Sequence, residues 1–325
     1  MNDIVLTPSE QGLIQENVCL KNKNWFQTGG FARFFAASST TVDFQQAILF
    51  GLKHKLPIYL LGKGANILIA DQGVDGLVIQ PQLNSIVQLG ENSDGTILVR
   101  AGAGVSMSDL ISWCLERNVV GLEEFSGIPS SVGGAVYINL HYFEYLLEQF
   151  LFSAELIDAR TGICEQVPVD WFSFGYDYSR LQEKTHYVAS ATFALKKVDD
   201  CQTWYAKGRS VEIIRHRASR YPQTHTCGCF FRNLYEHEVD FEINGKKILS
   251  AGYYLDSLGI KGNLSVGGAS ISSQHANMII NNENATSQNI IDLALKMQWL
   301  VKEKYGILLK PECQFLGIDK KIFDN

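Results

Sequence analysis

A chain of 325 residues with 46% hydrophobic and 19% charged content carries enough apolar material for a sizeable core and, by length, for two or three domains. Its formal net charge of −6 argues against a general nucleic-acid binder. No apolar run approaches the roughly 18 residues of a membrane span, and the first eleven residues lack the basic start and apolar centre of a secretory leader. Seven scattered cysteines read as reduced thiols rather than a disulfide framework, so the expected location is the cytoplasm.

In chain order, Asn24–Phe35 holds a Gly-Gly turn flanked by aromatics. Thr40 and Asp43 form a capping pattern ahead of a helix to about His54, with Phe44, Ala47, Ile48 and Leu52 on its buried face. Short strands are expected at Ile58–Leu61, Ile67–Ala70, Gly76–Ile79 and Ile97–Arg100. Between the first two lies Gly62-Lys63-Gly64-Ala65-Asn66. Glycine here allows positive φ and close approach, and the successive backbone N–H groups suit an anion. Ser106 and Asp109 open a second helix with Leu110, Ile111, Cys114 and Leu115 inward.

The segment Gly127–Asn139 (GIPSSVGGAVYIN) is richest in small residues: Gly127, Ser130, Ser131, Gly133 and Gly134 sit among apolar neighbours. With Gly62–Asn66 it makes a second anion-ready turn, and two such turns suggest a long ligand with a diphosphate in its middle; the alternative is a pair of ordinary tight turns. His141–Phe152, rich in aromatics and leucine, is expected to be helical. Strands follow at Ala154–Ile157, Gly162–Val167 and Tyr187–Leu195, and a boundary falls near Lys196–Gln202.

Beyond it, Trp204–Arg220 sets Lys207, Arg209, Arg215, Arg217 and Arg220 against Glu212 alone, either a solvated helix face or a landing site for an anionic substrate. Cys227 and Cys229 flank Gly228, but no second pair stands at zinc-like spacing, so no metal is expected. Cys229 is either a structural thiol or a proton donor or nucleophile. A charged hairpin is expected around Asn244-Gly245, and a helix in Ser250–Gly262. Val266–Asn277 brings hydroxyls, His275 and Asn277 together, His275 reading either as a hydrogen-bonded structural residue or as a catalyst. The clearest helix is Ala285–Tyr305, with Thr286 as cap and Gly306 as stop. Glu312 opens a late strand and is either half-buried or solvated.

Taken together, Thr28–Gly30, Gly62–Asn66 with Asp71 and Gly76–Val78, Ala101–Gly104, Gly121–Glu123 with Gly127–Asn139, Phe174–Tyr176, Gly228–Asn233, Ala251-Gly252 with Gly259–Gly262, Val266–Asn277 and Pro311-Glu312 resemble the UDP-N-acetylenolpyruvoylglucosamine reductases, in their shorter second type. These are flavin enzymes of peptidoglycan precursor synthesis, and the likeness runs from about Asn24 to Gly317. It implies an α+β fold: a PCMH-type FAD-binding part of two α+β subdomains in residues 1–200, divided near residue 85, and a C-terminal α+β substrate-binding domain in 201–325. It implies FAD at Gly62, Lys63, Gly64, Ala65, Asn66, Gly127, Ile128, Ser130, Ser131, Gly133, Gly134 and Asn139, with NADPH as reductant. Cys229 stands where most members carry the serine that protonates the enol intermediate, and Glu312 matches the glutamate near the enolpyruvyl group. Substrate contacts are implied at Tyr176, Arg217, Arg232, Asn233, His275 and Asn277. The expected partners are the small-molecule UDP-sugar and NADPH, with no nucleic acid or membrane, and the expected state is a monomer.

Several positions depart from the family pattern. In Tyr176-Asp177-Tyr178-Ser179 an aspartate replaces the arginine expected to stabilise negative charge on the enolate and carboxylate. Loss of one oxyanion donor costs about 2.7–4 kcal/mol, so an uncompensated reversal opposes the reaction by several kcal/mol. Arg180 is the expected substitute, provided that a turn brings it round, because residues at odd spacing along a strand face opposite ways. Ala65 replaces a serine, Gln274 replaces a lysine, and Leu140–Tyr145 replaces a small, glycine-rich continuation. Two further readings therefore accompany the first: a diverged FAD oxidoreductase acting on another substrate, and a flavin-binding protein without turnover.

Overall fold

The computed structural model describes residue 4, residues 6–282 and residues 284–324. The chain divides into two compact units. One takes the chain up to Val18, Arg33–Lys63 and Asp75–His216; the other takes Cys19–Ala32, Gly64–Val74 and the chain from Arg217 on.

The first unit mixes two sheets with helices. Its smaller sheet orders four strands as Ile14–Cys19, Phe31–Ser38, Val74–Pro81 and Ile58–Leu60, the last two parallel. Thr40 caps the helix Thr41–Lys53 through a reciprocal box with Asp43, as expected. That helix buries Phe44, Ala47 and Ile48 against Phe34, Leu77 and Ile79. Leu52, assigned to the same face, is instead exposed. The larger sheet runs Cys164–Pro168, Leu151–Asp158, His186–Lys197, Ile97–Gly102 and Ile86–Glu91, antiparallel throughout, with the short strand Val119–Val120 pairing beside Lys196 and Lys197. The helix Met107–Leu115, capped by Ser106, lays Leu110, Ile111 and Cys114 in the same core as Val99, Ala101, Leu156 and Phe193.

Two local expectations fail here. Gly127–Asn139 is a turn only as far as Ser131; Val132–Ile138 is a short helix, because Ser131 accepts the Gly134 N–H and starts it. The expected helix over His141–Phe152 does not form. Asn139 takes a left-handed conformation (φ 51°) and ends the preceding helix. His141–Tyr142 then pairs with Tyr145–Leu146 in a hairpin whose loop includes Phe143 at φ 51°. Leu151 onward joins the strand Leu151–Asp158, so strand pairing overrides a composition that suits a helix equally well.

The second unit is organised by the helix Ser287–Tyr305, which Thr286 caps and Gly306 (φ 69°) ends, as expected. Its stripe of Ile290, Leu293, Ala294, Met297 and Val301 is fully buried and shares a core with Phe230, Phe231, Tyr254, Ile271 and Ile279. The strands Ser265–Val266, Ala269–Ile271 and Ile279–Asn281 form an antiparallel sheet, and Gln314–Leu316 pairs in parallel with Ile67–Ile69. The hairpin around Asn244-Gly245 is present as Glu242–Ile243 and Lys246–Lys247.

Candidate active site

In the second unit, residues 229–232 run between two partner segments. On one side Cys229 bridges to Met278, and the Phe230 amide donates to the Asn277 carbonyl at 2.8 Å. On the other, the Glu312 amide donates to the Phe230 carbonyl at 2.9 Å, and the Arg232 amide to the Lys310 carbonyl at 3.0 Å. Asn277, 2% exposed, locks this arrangement with its side chain: Nδ2 donates to the Phe231 carbonyl (2.7 Å) and Oδ1 accepts the Phe231 N–H (3.0 Å). Cys229 and Glu312, both half-buried, are therefore held either side of Phe230. Burial pushes the neighbouring Cys227 thiol well above the usual range, and Cys313, Glu312 and Cys229 push it the same way, so Cys227 stays a neutral thiol.

The turn before Ile67 reaches the same region. The Gln314 amide donates to the Asn66 carbonyl at 3.1 Å, two residues from Glu312. Gly64 adopts φ 67°, and a Cβ there would lie 2.3 Å from the Lys23 carbonyl oxygen, so only glycine fits. The amides of Lys63, Gly64, Ala65 and Asn66 donate to no acceptor among the described residues. Asn66 Oδ1 is buried without a partner. Such donors and an orphaned acceptor fit a ligand with a diphosphate and adjoining hydroxyl or amide groups.

In the first unit, Gly62 passes so close to Ser131 that a Cβ would meet its Oγ at 2.6 Å. The expected row of open amides in Gly127–Asn139 is absent. Ile128 and Ser130 donate to Phe125 and Ile128 carbonyls, Val132 to Val105, Gly133 to Ala103 and Gly134 to Ser131 Oγ. A Cβ on Gly133 would stand 3.1 Å from that of Ala103, so the close approach that this glycine permits is to protein.

Asn139, 1% exposed, reaches the turn that carries Tyr176 and Asp177. Its Nδ2 donates to the Gly175 carbonyl (3.2 Å) while Oδ1 accepts the Glu148 amide (3.1 Å), and Ser179 Oγ donates to the Tyr137 carbonyl at 2.7 Å. Gly175 and Tyr178 bond reciprocally and Asp177 sits at φ 52°, so the stretch is a turn and not a strand. The turn does not liberate Arg180: its Nη2 donates to Ser173 Oγ at 2.8 Å, with the guanidinium 5.2 Å from the Trp171 ring centre. Asp177 Oδ1 instead lies 3.3 Å from His141 Nδ1, whose ring centre is 4.8 Å from that of Tyr176.

The remaining candidates divide. Arg232 forms a two-pronged pair with Glu238, both contacts at 2.7 Å, and Asn233 Oδ1 accepts the Ala251 amide. Arg217 lies over Tyr221. His275 packs against the same Tyr221, and its Nδ1 accepts the Asn277 amide at 3.2 Å, which places the ring proton on Nε2. Burial, with Arg220 nearby, holds His275 below the ordinary imidazole range. Of the basic helix, Arg209 grips the buried Glu124 through two bonds of 2.8 Å, and Lys207 lies over Trp204, so those two are structural partners. Neither Glu124 nor His141 was singled out by sequence reasoning. Glu124 had no signal, whereas His141 lay within a departure from the family pattern already visible in the chain.

Residues 32–166 match the family described as FAD binding domain, and the chain accordingly falls in the class of FAD-binding proteins, α+β and PCMH-like in that part. Residues 220–316 match the family described as UDP-N-acetylenolpyruvoylglucosamine reductase, C-terminal domain. The chain is 34% identical over 306 residues to the UDP-N-acetylenolpyruvoylglucosamine reductase of Protochlamydia amoebophila, with 94% of each covered. It is 34% identical over 311 residues to that of Chlamydia trachomatis serovar A, covering 96% of this chain and 99% of the other. The crystal structure of the Thermus caldophilus enzyme superposes with a TM-score of 0.74 at 26% identity, covering 93% and 99%. The chain belongs to the UDP-N-acetylenolpyruvoylglucosamine reductase family.

Proposed function

We propose that the protein is the FAD-dependent reductase that converts UDP-N-acetylenolpyruvoylglucosamine to UDP-N-acetylmuramate with NADPH, in peptidoglycan precursor synthesis. The observation that carries this reading, within a chain of that family, is the backbone clamp holding Cys229 and Glu312 about the single residue Phe230. FAD, when bound, supplies the hydride chemistry between NADPH and the enolpyruvyl double bond. The protein's part is to hold the flavin and substrate and to deliver the proton.

Cys229 is the proton donor in this reading: its S–H protonates the enol carbon, and a thiol is a stronger acid than the serine hydroxyl it replaces. Glu312 assists at the enolpyruvyl group, and Asn277 positions both by fixing residues 229–232. The flavin diphosphate is assigned to the turn Gly62–Asn66, supported by its unaccepted amides and the orphaned Asn66 Oδ1. The hydroxyls of Ser130 and Ser131 and the close Gly62 supplement it. Residues 1–200 are assigned to FAD and 201–325 to substrate, with Tyr176, Arg217, Asn233 and His275 as further contacts. The reading carries with it a monomer in the cytoplasm, without nucleic-acid or membrane partners. The exposed thiols of Cys19, Cys164 and Cys201 suit a reducing compartment. Among the described residues no helix is long and apolar enough to cross a membrane.

Anaerobic stopped-flow tests this directly. NADPH should bleach the flavin, and the enolpyruvyl UDP-sugar should restore the oxidised spectrum. Cys229→Ala should leave bleaching intact and slow restoration by at least about 100-fold, within the usual reach of a general acid; equal loss in both steps removes the role. One observation favours a second reading, a diverged FAD oxidoreductase: Asp177 stands where the family carries arginine, and Arg180 does not replace it. Bleaching by NADPH without restoration by this sugar would select that alternative.

A further inference from the structure

Two departures from the family pattern, Asp177 and the segment Leu140–Tyr145, meet in the structure. His141 comes from the hairpin that follows Asn139, and Asp177 from the tip of the turn 175–178. Their side chains approach to 3.3 Å, Nδ1 to Oδ1, with 28% and 12% of each exposed. The two loops are tied independently of that contact, by Asn139 to Gly175 and by Ser179 to Tyr137. Asp177 Oδ2 is buried with no partner, and His141 Nε2 has none among the described residues. A left-handed aspartate that leaves a carboxylate oxygen orphaned carries both a backbone and a desolvation penalty. Packing alone does not account for keeping it.

We propose that His141 and Asp177 form an anion-binding dyad, with His141 as a substrate-positioning residue. The proposal rests on the reductase reading above, whose substrate bears a carboxylate and a diphosphate. A carboxylate can only accept, so its contact with Nδ1 at 3.3 Å favours a proton on that nitrogen. A proton on Nδ1 facing Asp177 leaves Nε2 as the other polar atom of the ring. In its doubly protonated form the ring presents Nε2–H and a positive charge to an anion. In that form the negative charge of Asp177 balances the cation when the anion is absent. Tyr176 packs against the ring and limits its rotation. The other charged groups of the two loops are Glu144, Glu148, Arg180, Glu183 and Lys184; Arg180 is engaged with Ser173 and Trp171, and the three glutamates repel an anion. Reversal of charge at residue 177 is on this account compensated from the hairpin, not from three residues further along the chain.

The test uses the FAD-loaded full chain with the enolpyruvyl UDP-sugar as probe. For His141→Gln, the sugar's Kd, read from the perturbation of the flavin spectrum, should rise about 10- to 100-fold, the range for one charge-assisted hydrogen bond. Flavin content and NADPH bleaching should stay within twofold of the unaltered protein. His141→Lys, which restores a cation, should recover part of the loss. Nitrogen-15 NMR of the unaltered protein should show Nδ1 protonated in the neutral ring, and Asp177→Asn should remove that preference. An unchanged sugar Kd in His141→Gln, equal loss of bleaching and sugar binding, or an Nε2–H neutral tautomer in the unaltered protein would each overturn the dyad. If unaltered protein bleaches with NADPH but ignores the sugar, the reductase reading fails, and the tautomer together with the Kd for inorganic diphosphate still decides the dyad.

Discussion

Replacing Asn277 with leucine probes the clamp that brings Cys229 and Glu312 together. Leucine nearly preserves volume, so the cavity cost is small, but both side-chain bonds to Phe231 disappear. The Phe231 amide and carbonyl are left without those partners in a site where Asn277 is 2% exposed and Phe231 fully buried. An unsatisfied buried polar group costs about 1–3 kcal/mol, and two such groups with some relaxation give about 2–5 kcal/mol. At roughly 1.5 °C per kcal/mol for a chain of 325 residues this lowers Tm by roughly 3–7 °C. Differential scanning calorimetry of the FAD-loaded protein, with urea unfolding alongside, measures it. Below the melting range the variant should also slow restoration of the flavin spectrum more than NADPH bleaching, because the proposed function assigns the misplaced residues to the proton-delivering step. A loss under about 1 kcal/mol, or equal slowing of both steps, would show that Asn277 does not hold the strand as argued.

Gly64→Ala should lower flavin content on purification, since its Cβ would overlap the Lys23 carbonyl and the φ of 67° is unfavourable for alanine; flavin absorbance per protein measures this. Arg209→Ala should destabilise the protein by about 1.5–3 kcal/mol by stranding Glu124, and leave the salt dependence of substrate affinity unchanged; urea unfolding and sugar titrations at two ionic strengths check both halves. His275 binds its proton more weakly folded than unfolded, so its contribution to stability is complete above the unfolded value of 6.5 and is lost as pH falls through that value toward the lower folded one. Tm followed between about pH 5 and pH 8 should show that slope, and His275→Asn, which keeps an acceptor for the Asn277 amide, should flatten it. Cys229→Ser should restore the flavin spectrum at a rate well above Cys229→Ala, because a hydroxyl still donates.

Some of the architecture was readable from local chemistry alone. Thr40 with Asp43 and Thr286 with Gly306 bounded their helices, because caps act through neighbouring backbone groups and need no tertiary partner. The stripe from Ile290 to Val301 marked a buried face for the same reason of periodicity. The motifs Gly62–Asn66, Gly228–Asn233 and Pro311-Glu312 indicated the family.

What the order of residues left open was decided by contacts far apart in the chain. Composition could not show that His141–Phe152 would pair as strands, since aromatic and leucine-rich segments serve either state until a partner strand is present. Nor could it show that the amides after Ser131 would be taken up by Ala103 and Val105 while those of Lys63–Asn66 stayed open. Arg180 and Arg209 looked available because charge is visible in a sequence and its partner is not; Ser173, Trp171 and Glu124 occupy them only after folding. The meeting of His141 with Asp177, 36 positions apart, belongs to the same class. Local propensity is written residue by residue, whereas the satisfaction of a buried polar group depends on what the fold carries to it.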